Sequence, residues 1–222
     1  MRNSLGMDYM ALLRLENRLC IAAGEESWLA PELSRWVEAG ARVRLFASPE
    51  APFGTQEGVE WIRRPYRSGD LQGAFLALCA LPLPQAADFC AEAEEAHVLF
   101  YASALTQRSS FILPRRIERS PLLIALSTSG FSEEVEELAA SEIAQRIGPE
   151  YGEAAAILGE LQPLIEAHLP DRTFRTQVLS SLAGDLVEAV HVGVPDHARA
   201  LARNTISSYD PALQKTWGEE RS

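Results

Sequence analysis

Apolar and polar positions follow two regimes along this chain. In the first half, short apolar runs of strand length alternate with helical repeats. Leu19–Gly24 (LCIAAG) is a continuous apolar run closed by glycine, the pattern of a strand buried on both faces. Residues 27–40 place Leu29, Leu33, Trp36 and Val37 on one helical face and stop at Gly40. Residues 41–48 and 59–65 read as strands, the second clearly alternating, with a Pro/Gly loop over 48–58 between them. The run 70–84 is too uniformly apolar for periodicity to divide strand from helix, and Pro82 and Pro84 end it. Residues 85–96 read as helix and 97–103 as a strand begun by His97, while Tyr9 to Leu13 read as an edge strand. Such alternation builds a parallel sheet covered by helices.

Beyond residue 108 the character changes. Residues 109–130 hold two apolar segments split by a basic turn. From Ser132 the chain reads as four helical segments, 132–148, 149–169, 172–193 and 195–209, followed by a polar tail, 210–222, expected to be mobile. The map is thus an α/β domain (1–113), a connecting β/α segment (114–146) and a small helical domain (147–222), with no internal repeat.

Composition narrows the function classes. The 222 residues are 47% hydrophobic and 23% charged, an ordinary globular balance that buries a core without staples. Twenty Lys+Arg against 31 Asp+Glu give a net charge of −11, which excludes a general nucleic-acid binder and disfavours anionic membranes. Cys20, Cys79 and Cys90 lie in apolar runs without zinc spacing, so they are expected as buried thiols. No apolar run has the length of a membrane span, and the start MRNSLGMDYM lacks a signal-peptide pattern, so a cytoplasmic location is expected. Trp28, Trp36, Trp61 and Trp217 are too scattered for a stacking platform. No Walker loop, G-x-S-x-G or H-E-x-x-H occurs.

One stretch carries a specific resemblance. Ser110-Phe-Ile-Leu-Pro114, then Ile117, Arg119-Ser-Pro121, Ile124-Ala-Leu-Ser-Thr-Ser-Gly130 and Ser132 resembles the S-F-x-x-P…R-x-x-L-x-I-x-I-S-T-x-G-x-S-P signature of the bifunctional precorrin-2 dehydrogenase/sirohydrochlorin ferrochelatase family, the N-terminal module of siroheme synthase. Glu38-Ala-Gly-Ala-Arg42 is similar to that family's A-G-A turn. The resemblance implies a Rossmann-like NAD(P)-binding-type domain, a dimerisation segment over 114–146 and a homodimer that oxidises precorrin-2 with NAD and then inserts iron. It also implies Gly24 and Ser48 as cofactor-binding. Arg108, Arg115, Arg119, Ser127, Thr128, Ser129, Gly130 and Ser132 would bind substrate, with Thr128 and Ser103 as catalytic candidates.

The departures from that pattern are chemical. Where the family has G-G-G-x-V-A, this chain has Gly24-Glu25-Glu26-Ser27-Trp28-Leu29. The second glycine lets backbone approach a pyrophosphate, and Glu26 puts a side chain and a negative charge there. As an ordinary helix start, two glutamates in a first turn favour the helix dipole. Phe46-Ala-Ser48 lacks the acidic or amide ribose partner, and Cys79-Ala-Leu-Pro-Leu-Pro84 replaces the family's A-T-[DN]-D. The family's proposed catalytic Asp aligns with Ala104, which cannot move a proton. Family arginines align with Glu137 and Ala140, leaving Arg108, Arg115, Arg116 and Arg119 to grip substrate carboxylates or pair with acids at an interface. His191 and His197, six apart, do not form a helical metal face, but either is a candidate axial ligand to an iron tetrapyrrole. No metal-ligand set is assigned.

The sequence therefore predicts a siroheme-synthase-like protein that binds a tetrapyrrole in a dimer cleft with NAD-dependent oxidation lost. NAD is implied by resemblance only, and an iron tetrapyrrole, siroheme or haem, is the other cofactor candidate. One alternative is an active dehydrogenase or ferrochelatase with a rearranged site. The other is a non-catalytic dimeric scaffold or regulator that uses the acidic helix 133–142 and the eroded crevice as an interface.

Overall fold

The computed structural model describes residues 8–53, 56–169, 171–193 and 195–209; the polar tail from Asp210, with Trp217, and the side chains of His168 and His197 lie outside the described residues. The chain divides into two compact units between Leu113 and Pro114.

The first unit is a five-stranded parallel sheet in the order β3-β2-β1-β4-β5, formed by β1 (Leu19–Gly24), β2 (Arg42–Ala47), β3 (Val59–Arg63), β4 (Leu76–Ala80) and β5 (Leu99–Ala102). Strand β1 is central, and its side chains divide between two cores. Cys20 and Ala22 join Leu33 and Trp36 of α1 (Leu29–Glu38) on one face. Ile21 and Ala23 join Phe89 and Cys90 of α2 (Gln85–Glu95) on the other. Burial on both faces explains why β1 and β4 are unbroken apolar runs.

No helix lies between β3 and β4. Instead two carboxylates hold the crossover. Arg64 grips Asp70 with two bonds of 2.7 Å, and the Arg67 N–H also donates to Asp70 at 2.7 Å. Glu92 of α2 accepts from the Tyr66 hydroxyl at 2.5 Å, from the Gly69 N–H at 3.0 Å and from the Leu71 N–H at 3.1 Å.

Three sequence expectations need correction here. Residues 8–15 contain no strand: Tyr9 is 93% exposed and Leu12 75%, so the apolar run finds no partner strand among the described residues. His97 does not begin β5; it is exposed at φ +54°, in the turn that follows α2. Helix α1 begins at Leu29, so Glu25 and Glu26 precede it and the first-turn acid is Glu32.

The second unit opens with an antiparallel hairpin, β6 (Arg115–Arg119) and β7 (Leu122–Leu126), in the register Arg115↔Leu126 to Arg119↔Leu122. The basic segment is therefore a strand, and the turn is Ser120-Pro121. An edge strand tolerates charged side chains because its outer face is solvated. Helix α3 (Glu133–Arg146) follows, capped by Ser132, whose hydroxyl accepts the Val135 N–H at 3.2 Å. Then α4 (Pro149–His168), α5 (Arg172–His191) and α6 (Pro195–Tyr209) enclose their own core, in which Ile157, Ile165, Leu182, Leu186, Ala202 and Ile206 are almost wholly buried. Gly152 of α4 lies so close to the Arg119 and Ser120 carbonyls that any Cβ there would collide with them.

Candidate functional site

In a doubly wound sheet the ligand crevice lies beyond the carboxyl ends of the strands, where the strand order reverses. Here that point is between β1 and β4, beside Gly24 and Ala80. Gly24 adopts φ +123°, and a Cβ on it would strike the Ala80 backbone. The sheet itself therefore requires this glycine, whatever binds beyond it.

Two carboxylates occupy the space that follows. Glu25 accepts the Ser48 N–H at 3.1 Å, at the end of β2 where a ribose partner would stand. Glu26 accepts the Trp28 indole N–H at 2.6 Å through one oxygen and the Ser103 hydroxyl at 3.1 Å through the other. The Ser103 hydroxyl also lies 3.4 Å from the Cys79 carbonyl oxygen. Glu26 thus spans the switch point from the β1 turn to the end of β5. The Trp28 ring meets Tyr101 edge-on at 5.8 Å, and Leu29 is fully buried. A diphosphate placed here would face both carboxylates. Like unit charges 4 Å apart repel by about 4 kcal/mol at an effective dielectric of 20. As arranged, these residues do not fit a dinucleotide.

Ala104 lies in the 3-10 turn Ser103–Arg108 after β5, with its methyl exposed. The acid nearest to it in the hydrogen-bond network is Glu26, through the adjacent Ser103. Arg108 of the same turn forks onto Glu94 at 2.8 and 3.2 Å and reaches the Ala87 carbonyl at 3.4 Å. That fork holds the Glu94 carboxyl below its ordinary range.

In the second unit Ser127–Gly130, which the resemblance implies for substrate binding, form a turn that is filled from within. Ser129 at φ +56° and Gly130 at φ +81° bend the chain after β7. Glu136, one turn into α3, reaches back so that one oxygen accepts the Thr128 N–H at 2.5 Å, the Thr128 hydroxyl at 2.9 Å and the Ser127 hydroxyl at 3.3 Å. The Thr128 N–H above all holds the Glu136 carboxyl below the usual carboxylate range, against partial burial, with the two hydroxyls and the Arg115 charge adding to it. The Thr128 hydroxyl oxygen accepts the Ser132 N–H at 2.9 Å, and the Ser127 hydroxyl accepts the Ser129 N–H at 3.0 Å.

Arg115 and Arg119 are engaged as well. Arg115 pairs with Glu137 at 2.8 Å and with Glu133 at 3.8 Å. Arg119 donates to the carbonyls of Ile147 at 3.0 Å, Glu118 at 3.1 Å and Ala144 at 3.3 Å, closing the C-terminal end of α3.

The structure thus gathers Gly24, Ser48 and Ser103 around Glu25 and Glu26, and Ser127, Thr128, Ser129 and Ser132 around Glu136, with Arg115 pairing to the same helix. Arg108 and Arg119 each serve a different part of the fold. Sequence reasoning identified Glu26 but not its bond to Ser103, and it missed the role of Glu136 altogether. The only signal for Glu136 was an acid four residues after a helix-capping serine. Among the described residues, no group of three or more His, Cys, Asp or Glu side chains could hold a metal ion, and no helix is long and apolar enough to cross a membrane.

Comparison with known proteins agrees with this architecture. Residues 11–115 match the family described as "Putative NAD(P)-binding". Siroheme synthase of Pseudomonas paraeruginosa is 28% identical over 90% of this chain and 45% of its own length. Siroheme synthase 1 of Aeromonas salmonicida is 26% identical over 96% and 45%, and siroheme synthase of Ectopseudomonas mendocina 30% over 78% and 38%. The chain thus spans less than half the length of these relatives. Among solved structures, SirC, a precorrin-2 dehydrogenase, superposes with a TM-score of 0.66 over 94% of this chain and 100% of its own, at 16% identity, and so shares the fold. By its signature from Ser110 to Ser132 and by these relatives, the chain is similar in sequence to the siroheme synthases over the part they share, and it has the fold of a precorrin-2 dehydrogenase.

Proposed function

We propose that this chain handles a tetrapyrrole or its metal complex in siroheme or haem biosynthesis, in a cleft between two copies, and that it no longer oxidises substrate with NAD. The observation that carries the reading is Glu26, whose carboxylate bridges Trp28 and Ser103 across the switch point while Ala104 stands where the family has its acid. The seated Glu25 and Glu136 support it. A cytoplasmic setting suits three unpaired, buried thiols.

A homodimer is part of the proposal. Leu123 of β7, 42% exposed, and Phe131, Val135 and Leu138, 79%, 55% and 62% exposed, leave the hairpin and α3 with outward apolar side chains. Such clustering marks protein interfaces. Gel filtration with light scattering is expected to give twice the 24.4 kDa chain mass; a monomer at micromolar concentration would contradict the dimer.

Isothermal titration with NAD and NADP tests the central claim. No heat is expected up to millimolar nucleotide, whereas sirohydrochlorin should quench tryptophan fluorescence saturably. Micromolar NAD binding would overturn the reading.

One observation favours a second reading, a metal-inserting enzyme. Glu26 is bonded to Ser103 beside the Ala104 position, where a proton acceptor for chelation would be needed. Cobalt insertion into sirohydrochlorin, abolished in Glu26→Gln but retained in Glu25→Gln, would select it.

A further inference from the structure

We propose that the apolar run at residues 9–13 of one copy lies on the exposed face of α3 of a second copy, and that the exchange is mutual. The proposal rests on the homodimer reading above and names what covers that face. Tyr9, Met10, Leu12 and Leu13 are all large, apolar and exposed, on a segment that forms neither helix nor strand. Leu15, two residues on, is buried in the core of the sheet, so the run leaves the first unit at a fixed point. Apolar side chains gathered in this way mark an interaction surface, and Tyr and Met are residue types that interfaces favour.

The face on α3 matches it in character and in charge. Phe131, Val135 and Leu138, at spacings of four and three, form an exposed apolar stripe, and Glu134 lies on the same side. The neighbouring acids are occupied: Glu133 and Glu137 pair with Arg115, and Glu136 fills the turn at Thr128. Glu134 accepts the Ser132 hydroxyl at 2.8 Å and has no cationic partner among the described residues. Arg14, directly after Leu13, is exposed and has no acidic partner among them. The chain thus carries an apolar run ending in an unpaired cation and an apolar stripe beside an unpaired anion, which makes it complementary to itself. Under two-fold symmetry one such contact creates the other. The lengths agree as well. Six extended residues reach about 20 Å, and the seven-residue step from Phe131 to Leu138 rises about 10 Å along a helix.

The test is cross-linking of the full 222-residue chain with a short bis-maleimide, since the three native thiols are buried. A chain carrying both Leu12→Cys and Leu138→Cys is expected to link into a covalent pair of twice the 24.4 kDa chain mass, while each single variant stays unlinked. In light scattering, Leu12→Ser should raise the dimer dissociation constant about a hundredfold or more, because each dimer loses two buried leucines. Arg14→Glu should raise it about tenfold through two like-charge contacts, and Arg14→Glu combined with Glu134→Arg should recover most of that loss. All these side chains are exposed, so the variants should melt with the parent. A doubly substituted chain that links only within itself, a Leu138→Cys chain that links to its own copy, or a Leu12→Ser dimer as tight as the parent overturns the inference. If the parent is a dimer in those cases, only this inference falls; if the parent is a monomer, the homodimer reading falls with it.

Discussion

Gly24 is the one residue of the dinucleotide turn that this chain shares with its family, and the structure gives it a reason that involves no nucleotide. Gly24→Ala would add a methyl directly against the Ala80 backbone at φ +123°. A non-glycine residue in such a backbone region costs about 1–3 kcal/mol. Forcing an atom into a packed site typically costs about 1–3 kcal/mol more. The combined loss, roughly 2–6 kcal/mol, is a large share of the about 5–15 kcal/mol that holds a domain folded. Gly69→Ala supplies the comparison, because Gly69 has φ +95° but no heavy atom within 4 Å of where its methyl would stand, so it bears the backbone cost alone. Calorimetric melting in nucleotide-free buffer is the assay. A loss of about 2 kcal/mol lowers the melting point of a unit this size by roughly 8 °C or more. Gly24→Ala is expected to fall well below Gly69→Ala. If the two variants melt together, or Gly24→Ala melts with the parent, the sheet does not require this glycine, and pyrophosphate approach becomes the better account of it.

Three other outcomes are expected. Arg119→Ala removes donors from the Ile147, Glu118 and Ala144 carbonyls and should destabilise by about 1–2 kcal/mol in urea unfolding; unchanged unfolding would refute the capping role. Burial alone would raise the Asp70 carboxyl, but the Arg64 fork, the Arg67 N–H and the charges of both arginines hold it below the usual range. Its stabilisation is therefore full at neutral pH and disappears as pH falls through that lowered value. Asp70→Asn should cost about 1 kcal/mol at pH 7, allowing for a partly exposed arginine, and less at pH 3; an equal gap at both pH values would refute the pairing. Burial pushes the Cys20 and Cys79 thiols up to about 12 and raises Cys90 as well, so none should react with a thiol reagent at pH 8 until the chain unfolds, and rapid native labelling would contradict their burial.

The sequence made the sheet legible where one side of a strand differs from the other or where a glycine closes it, as in β3 and β1. It left β4 ambiguous because that strand is buried on both faces and keeps no alternation. Tyr9 to Leu13 misled because an apolar run implies burial only when a partner is present. The basic run Arg115–Arg119 passed for a turn because its charges mask an edge strand whose partner, β7, supplies the apolar half. At the candidate site, residue types were readable and their partners were not. That Glu26 replaces a glycine is plain in the chain; that its carboxylate meets Ser103, 77 positions on, depends on β1 and β5 flanking the same strand. The seat of Glu136 depends on two consecutive left-handed residues, which no periodicity announces.

The carboxylate lodged on Thr128 has a consequence for any acidic ligand offered to that turn. Tethered eight residues away, it acts as a built-in competitor whose effective concentration is of millimolar order or higher. A free carboxylate supplied at micromolar levels cannot displace it unless other contacts hold that molecule in place. Monocarboxylate fragments should therefore fail in screens against this turn, and only multivalent acids anchored elsewhere could displace Glu136.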